Sequence, residues 1–323
     1  ISLCDNIIVL KETTSNLSHK SFFGKIDQLI APIELQKNRN ELFEELKPDL
    51  LITIGGMIVS KKVKTMLREH KPESHIHVGM NNPNDTFYCD VIHCKNLPDT
   101  FFGEVIERLN TLSPYKKMWK EISSHRTAFH KKFISKIPFC DLKVFSILES
   151  RISSKYSIQV AKSSAIRYMQ LFDQTPSSTV FCNRGTSGID GCSSTAVGSA
   201  WISGKRTLLI TGDLAFFYDS NAFLNNHVSP GLKVVVLNNH GGDIFRRLPK
   251  AIDSDIFETH LSYKHNRSIK NLVSYTGLEY FYVSKIDQWE IVWKKFIESP
   301  NSSVLEVITD SSTNDKMWNS RFK

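Results

Sequence analysis

The chain has 323 residues, 41% hydrophobic and 23% charged, which suits a globular protein of about two domains. No apolar run approaches the roughly 20 residues that a membrane-spanning helix needs, so no membrane span is expected. The net charge of +8 reads as a solvated basic surface able to collect small anions; no helix-turn-helix, zinc-finger or RRM signature accompanies it, so no nucleic-acid partner is expected.

In chain order, NIIVL at 6–10 reads as a short buried strand. LLITIGG, from 50 or 51 to 56, reads as a second strand that stops at Gly55 and Gly56, and HIHVG at 75–79 as a third. Between the last two, MIVSKKVKTMLREHKP sets Val63, Met66 and Leu67 near helical spacing. Strand, glycine turn, helix, strand is a βαβ unit, which implies a parallel sheet. Cys89, His93 and Cys94 lie close in sequence but match no common zinc spacing. The six cysteines are scattered, with no CxxC pair, as fits a reducing cytoplasm.

Residues 115–136 are strongly basic, without glycine or proline, and read as a surface helix leading to a connector that ends at Pro138. The domain boundary is placed there, giving domains 1–137 and 138–323. CDLKVFSILESRI follows as a helix, with Asp141 a candidate N-cap and Val144, Ile147, Leu148 and Ile152 on one face. TVFC at 179–182, TLLITG at 207–212, KVVVLN at 233–238 and SVLEVIT at 303–309 are compact β-branched runs. They are apolar almost throughout, as strands covered on both faces are. SSTAVGSAWIS at 193–203 fits a helix between them. The expected class is α/β: two doubly wound domains with mainly parallel sheets. Ligands of such sheets bind outside the carboxyl ends of the strands.

Two of those ends carry the chemistry. Asp213 closes one strand; Asn238, Asn239 and Gly241 close the next. Carboxylate, amide and backbone carbonyl oxygens are hard ligands suited to magnesium, which keeps positions open for phosphate oxygens. Gly212, Gly241 and Gly242 would let a diphosphate approach the backbone closely. Taken singly, Asp213 fits better as a helix cap and Asn239 as a turn cap. Arg184 directly follows a buried strand, where an unpaired charge would be costly, and that points to a ligand.

Taken together, GD and NN stand 25 residues apart from Asp213 to Asn238 (238 − 213). That is the pattern of the diphosphate- and magnesium-binding half of thiamine diphosphate enzymes, with Leu214 where many members have glycine. NRGTSGIDGCSSTAVG at 183–198, GDLAFFYDSNA at 212–222 and NNHGGDIFRRLP at 238–249 closely resemble one branch. That branch is the 2-succinyl-5-enolpyruvyl-6-hydroxy-3-cyclohexene-1-carboxylate synthases of the menaquinone pathway. The resemblance is carried by about residues 160–250; the first 130 residues resemble the family's central domain by βαβ pattern and position.

The resemblance implies thiamine diphosphate with magnesium, or manganese in its place. Asp213, Asn239 and the Gly241 carbonyl would hold the metal. Leu214 and Ala215 would offer backbone N–H groups to phosphate, and Gly188 and Ile189 would lie against the bent cofactor. Ser163, Arg167 and Arg184 would bind substrate carboxylates, with Ile244, Phe245 and Leu248 lining the pocket. Lys61 and Lys62 would reach the site from the central domain. Ile189, Ile244, Phe245 and Leu248 also fit plain packing, and Arg167, Lys61 and Lys62 a surface helix. The implied reaction is decarboxylation of 2-oxoglutarate and 1,4-addition of the succinyl unit to isochorismate.

In this superfamily a glutamate of a pyrimidine-binding domain activates the cofactor, at a site shared between subunits. No stretch here matches that domain. The chain is therefore expected to be a C-terminal fragment, inactive alone, of a dimeric or tetrameric enzyme with no catalytic residue of its own. Two alternatives stand beside this: another thiamine diphosphate decarboxylase or carboligase, and a non-catalytic ligand-binding protein of the same fold. Arg184 and Leu214 argue against the first.

Overall fold

A computed structural model describes residues 4–109, 112–173, 178–184, 188–247 and 255–323, with the side chains of 106–109, 243 and 247 left aside. The chain divides into two compact units, 1–132 with 322–323, and 133–321.

The first unit holds a three-stranded parallel sheet, ordered β1 (Leu50–Ile54), β2 (Ser74–Val78), β3 (Val91–Cys94). Its helices are α1 (Ile26–Glu34), α2 (Arg39–Leu46), α3 (Lys61–Glu69), α4 (Pro98–Leu109) and α5 (Tyr115–Lys136), the last running past the division. Ile26, Leu29, Ile30 and Ile33 of α1 pack with Val63, Met66 and Leu67 of α3 and with Trp119 of α5. The Ser60 side chain starts α3 by accepting from Val63 N–H at 3.2 Å. Residues 6–10 are not a strand. Leu10 makes one isolated bridge to Phe23, and Ile8 and Leu10 rest partly buried on the helical core. Apolar β-branched content alone cannot separate a strand from an extended segment packed on helices. Nor is α5 a plain surface helix, because Lys116, Trp119 and Arg126 are buried.

The second unit is built on six strands, all parallel, in the order β5-β4-β6-β7-β9-β8. They are β4 (Ser157–Val160), β5 (Thr179–Cys182), β6 (Thr207–Gly212), β7 (Leu232–Asn238), β8 (Glu279–Val283) and β9 (Ser303–Ile308). Interleaved helices are α6 (Asp141–Arg151), α7 (Ser164–Met169), α8 (Cys192–Ser203), α9 (Asp213–Tyr218), α10 (Ile269–Val273), α11 (Trp289–Glu298) and α12 (Ser311–Ser320). The central strands β6, β7 and β9 are buried nearly end to end, whereas β5, at the sheet edge, leaves Phe181 47% exposed. Ala196, Val197 and Ala200 of α8 pack onto Leu209, Val234 and Val236 of β6 and β7.

Asp141 is not the N-cap of α6; that position is Cys140. Its buried carboxylate instead accepts from Thr309 Oγ1 at 2.6 Å and Asn239 Nδ2 at 3.4 Å. From β4 the chain crosses first to β5 on one side and later to β6 on the other. The crevice between the ends of β4 and β6 is therefore the topological switch point, where parallel sheets take their ligands.

Candidate functional site

At the end of β6, Gly212 is extended, and a side chain there would meet nothing within 4 Å. Asp213 opens α9 and is 2% exposed. Oδ1 accepts from Leu214 N–H at 2.7 Å; Oδ2 accepts from Gly241 N–H at 3.0 Å and faces His265 Nε2 at 3.2 Å. The carboxylate thus spans from β6 to the turn after β7 and does not cap the later amides of its own helix. His265 Nδ1 accepts from Arg267 N–H at 3.2 Å, which leaves Nε2 carrying the proton toward Asp213.

The two asparagines after β7 diverge. Asn238 turns into the sheet, giving Nδ2–H to Glu306 Oε1 at 2.7 Å and taking His240 N–H on Oδ1 at 3.1 Å. Asn239 uses Nδ2 on Asp141, while its Oδ1 is buried with no hydrogen-bond partner among the described residues. A buried acceptor without a donor is costly, and a cation would satisfy it.

Sequence reasoning expected free backbone at several points where protein stands instead. Leu214 N–H is taken by Asp213. Side chains at Gly241 and Gly242 would come within 2.9 Å of Tyr263 O and 3.0 Å of Ser262 O, and Gly242 N–H donates to Ser262 O at 2.6 Å. Here those glycines admit the chain's own backbone. Ala215 is buried with Ala161 and Cys192, and Ile189 packs partly buried against them; Gly188 is exposed. Ile244 is half-buried and Phe245 exposed, both in the 3-10 turn Asp243–Arg247. Leu248 lies outside the described residues.

Beside these stand the ends of β4 and β5. Ser163 precedes α7, outside the helix, and Arg167 Nη1–H donates to its carbonyl at 2.6 Å. Arg184 is half-buried just after β5, and its Nε has no hydrogen-bond partner among the described residues. Lys61 and Lys62 open α3 of the first unit, where Lys62 pairs with Glu34. His265 and Lys162 were not singled out by the sequence reading. Asp219, quoted only as a motif letter, binds Ser194 N–H at 2.7 Å and Ser194 Oγ at 2.6 Å, tying α9 to the start of α8.

No family model matches the chain. Curated relatives do. A 2-succinyl-5-enolpyruvyl-6-hydroxy-3-cyclohexene-1-carboxylate synthase of Flavobacterium psychrophilum is 40% identical over 321 residues, 98% of this chain and 57% of the relative. That of Christiangramia forsetii is 41% identical over 314 residues, 97% of this chain and 54% of the relative. The Bacteroides fragilis synthase is 33% identical over 277 residues, 85% and 49% respectively. By sequence, the chain belongs to this synthase family. It spans about half the length of the relatives it matches. No described helix is long and apolar enough to cross a membrane.

The residues present fit the magnesium diphosphate expected of such a synthase. Asp213 offers further lone pairs, Asn239 Oδ1 is an orphaned oxygen, and Gly212 leaves open space at the strand end. The set has one carboxylate, one amide and one carbonyl, which matches a hard ion that also ligates phosphate.

Proposed function

We propose that this protein serves a thiamine diphosphate-dependent carboligase that decarboxylates 2-oxoglutarate and adds the succinyl unit to isochorismate. The observation that carries the reading is the Asp213 bridge from β6 to Gly241, beside the unsatisfied Asn239 Oδ1. Similarity to named synthases along 98% of the chain supports it.

Asp213, Asn239 Oδ1 and the Gly241 carbonyl would hold magnesium, with manganese as a substitute, against the cofactor diphosphate. When bound, thiamine diphosphate supplies the carbanion-stabilising electron sink of the reaction. Ile189 would support it from beneath, with Gly188, Leu214 and Ala215 adjoining. Arg184 and Arg167 would grip substrate carboxylates with the bidentate fork that lysine lacks, and Ser163 would add a hydroxyl. Ile244, Phe245 and Leu248 would wall the pocket against water, and Lys61 and Lys62 would add charge from the first unit. The reading includes a homo-oligomer acting in the cytoplasm; six free cysteines accord with a reducing compartment.

The test uses protein expressed from its full reading frame, incubated with cofactor, magnesium, 2-oxoglutarate and isochorismate. Carbon dioxide and the succinyl adduct should appear together. Consumption of 2-oxoglutarate without adduct would indicate a different carboligase; no consumption and no cofactor binding would indicate a non-catalytic relative.

A further inference from the structure

Two lysines of the second unit are buried in different company. Lys233 Nζ, in β7, donates to Ser299 O at 2.9 Å, Asn301 O at 2.6 Å and Ser303 Oγ at 2.8 Å. Lys162, two residues past β4, is 5% exposed, yet its Nζ has no hydrogen-bond partner among the described residues. Burial pushes the Lys162 ammonium down from its ordinary range, and Arg184 and Arg167 add repulsion. The nearby Cys182 thiol offers no counter-charge, because burial pushes it up to about 11. An uncompensated buried cation is strongly unfavourable, and Arg184 and Arg167 add positive charge near this one.

The backbone adds a separate observation. Ser163, next to Lys162, has φ 72° and ψ −124°, a left-handed conformation rarely taken by a residue with a side chain. Strain of this sort gathers where a ligand is gripped. Arg184 Nε is likewise buried without a partner among the described residues. All these groups stand at the carboxyl ends of β4 and β5, beside the switch point.

We infer that Lys162 is the third cation of an oxyanion site formed with Arg167 and Arg184. The ligand is a carboxylate or phosphate oxygen that enters this partly buried cluster and neutralises the charge of Lys162. The inference rests on the proposed function in one respect: that reading supplies both anions, the substrate carboxylate and the cofactor diphosphate.

The experiment is a thermal-shift titration of the protein from its full reading frame, as wild type, Lys162→Met and Lys162→Arg. Succinate and magnesium pyrophosphate are the probes. Without anion, Lys162→Met should melt no lower than wild type, since it removes a repelled charge. With anion, the wild-type melting temperature should rise, and Lys162→Met should bind roughly 10- to 100-fold more weakly. Lys162→Arg should keep most of the response. A loss confined to succinate assigns the site to substrate carboxylate; one confined to pyrophosphate assigns it to the diphosphate. The inference is overturned if Lys162→Met answers both anions as wild type does, if it melts well below wild type without them, or if wild type answers neither. Succinyl transfer to isochorismate judges the proposed reaction separately, whatever these variants do.

Discussion

Asp213 takes hydrogen bonds from Leu214, Gly241 and His265, so its orientation is set by groups that belong to three segments. The most distant of them is His265, 52 residues further along the chain. His265→Ala should therefore weaken magnesium-dependent cofactor binding by about tenfold or more, the usual loss when a group orienting a metal ligand is removed. Calorimetry checks this; unchanged affinity would show that the backbone donors suffice. Arg184 answers to a different readout. If Arg184 grips carboxylate as proposed, Arg184→Ala should raise KM for 2-oxoglutarate by roughly 10- to 100-fold while leaving cofactor affinity in place. Equal loss of both would make Arg184 a structural residue.

Among elements, β7 and β9 carry a buried polar knot. Glu306 accepts from Asn238 Nδ2 at 2.7 Å and from the Tyr280 hydroxyl, and burial together with that carboxylate pushes the Tyr280 hydroxyl well up. Glu306→Ala would strand both donors, at a cost of about 2–4 kcal/mol, read as lost stability to urea. A cost under about 0.5 kcal/mol would mean that the neighbours repair the gap. This knot also shows what sequence patterning could and could not reveal. β6, β7 and β9 were legible because both faces are covered and their residues are apolar almost throughout. β4 was passed over, since Ser157 and Gln159 interrupt its pattern; inside the fold, Gln159 gives its amide to Ser199 Oγ at 3.2 Å. β8, EYFYV, also went unread. NIIVL misled in the opposite sense, its apolar side chains resting on helices with no sheet partner beyond one bridge. Asp213 and Asn239 were legible as a spaced pair. His265 and Lys162 were not, because only the folded sheet brings a distant histidine and a strand-end lysine to that edge.

At the scale of the whole molecule, the two units answer to different measurements. In the first, Thr53 Oγ1 lies 2.8 Å from His75 Nε2 and 3.0 Å from His77 Nδ1. Burial, then the charge of a neighbouring histidine, holds both rings below their ordinary 6.5. Below that pH the unfolded chain takes up protons that the folded unit resists, so stability falls as pH falls and levels off below the folded values. The loss is at most about 1.4 kcal/mol per pH unit for each ring. The protection factors of the β1 and β2 amides should fall accordingly, and His75→Gln with His77→Gln should flatten the trend; a trend unchanged in that variant would place its cause elsewhere. In the second unit, the parallel sheet gathers the ends of β4, β5, β6 and β7 on one edge, so that the clamp proposed for metal and diphosphate would adjoin the cations of β4 and β5. The most direct test of this arrangement is calorimetric titration of thiamine diphosphate, with magnesium present, into wild-type and Asp213→Ala protein from the full reading frame. Magnesium-dependent binding to wild type is expected, with its loss in Asp213→Ala at an unchanged circular dichroism spectrum. Wild-type affinity in a folded Asp213→Ala protein would contradict it.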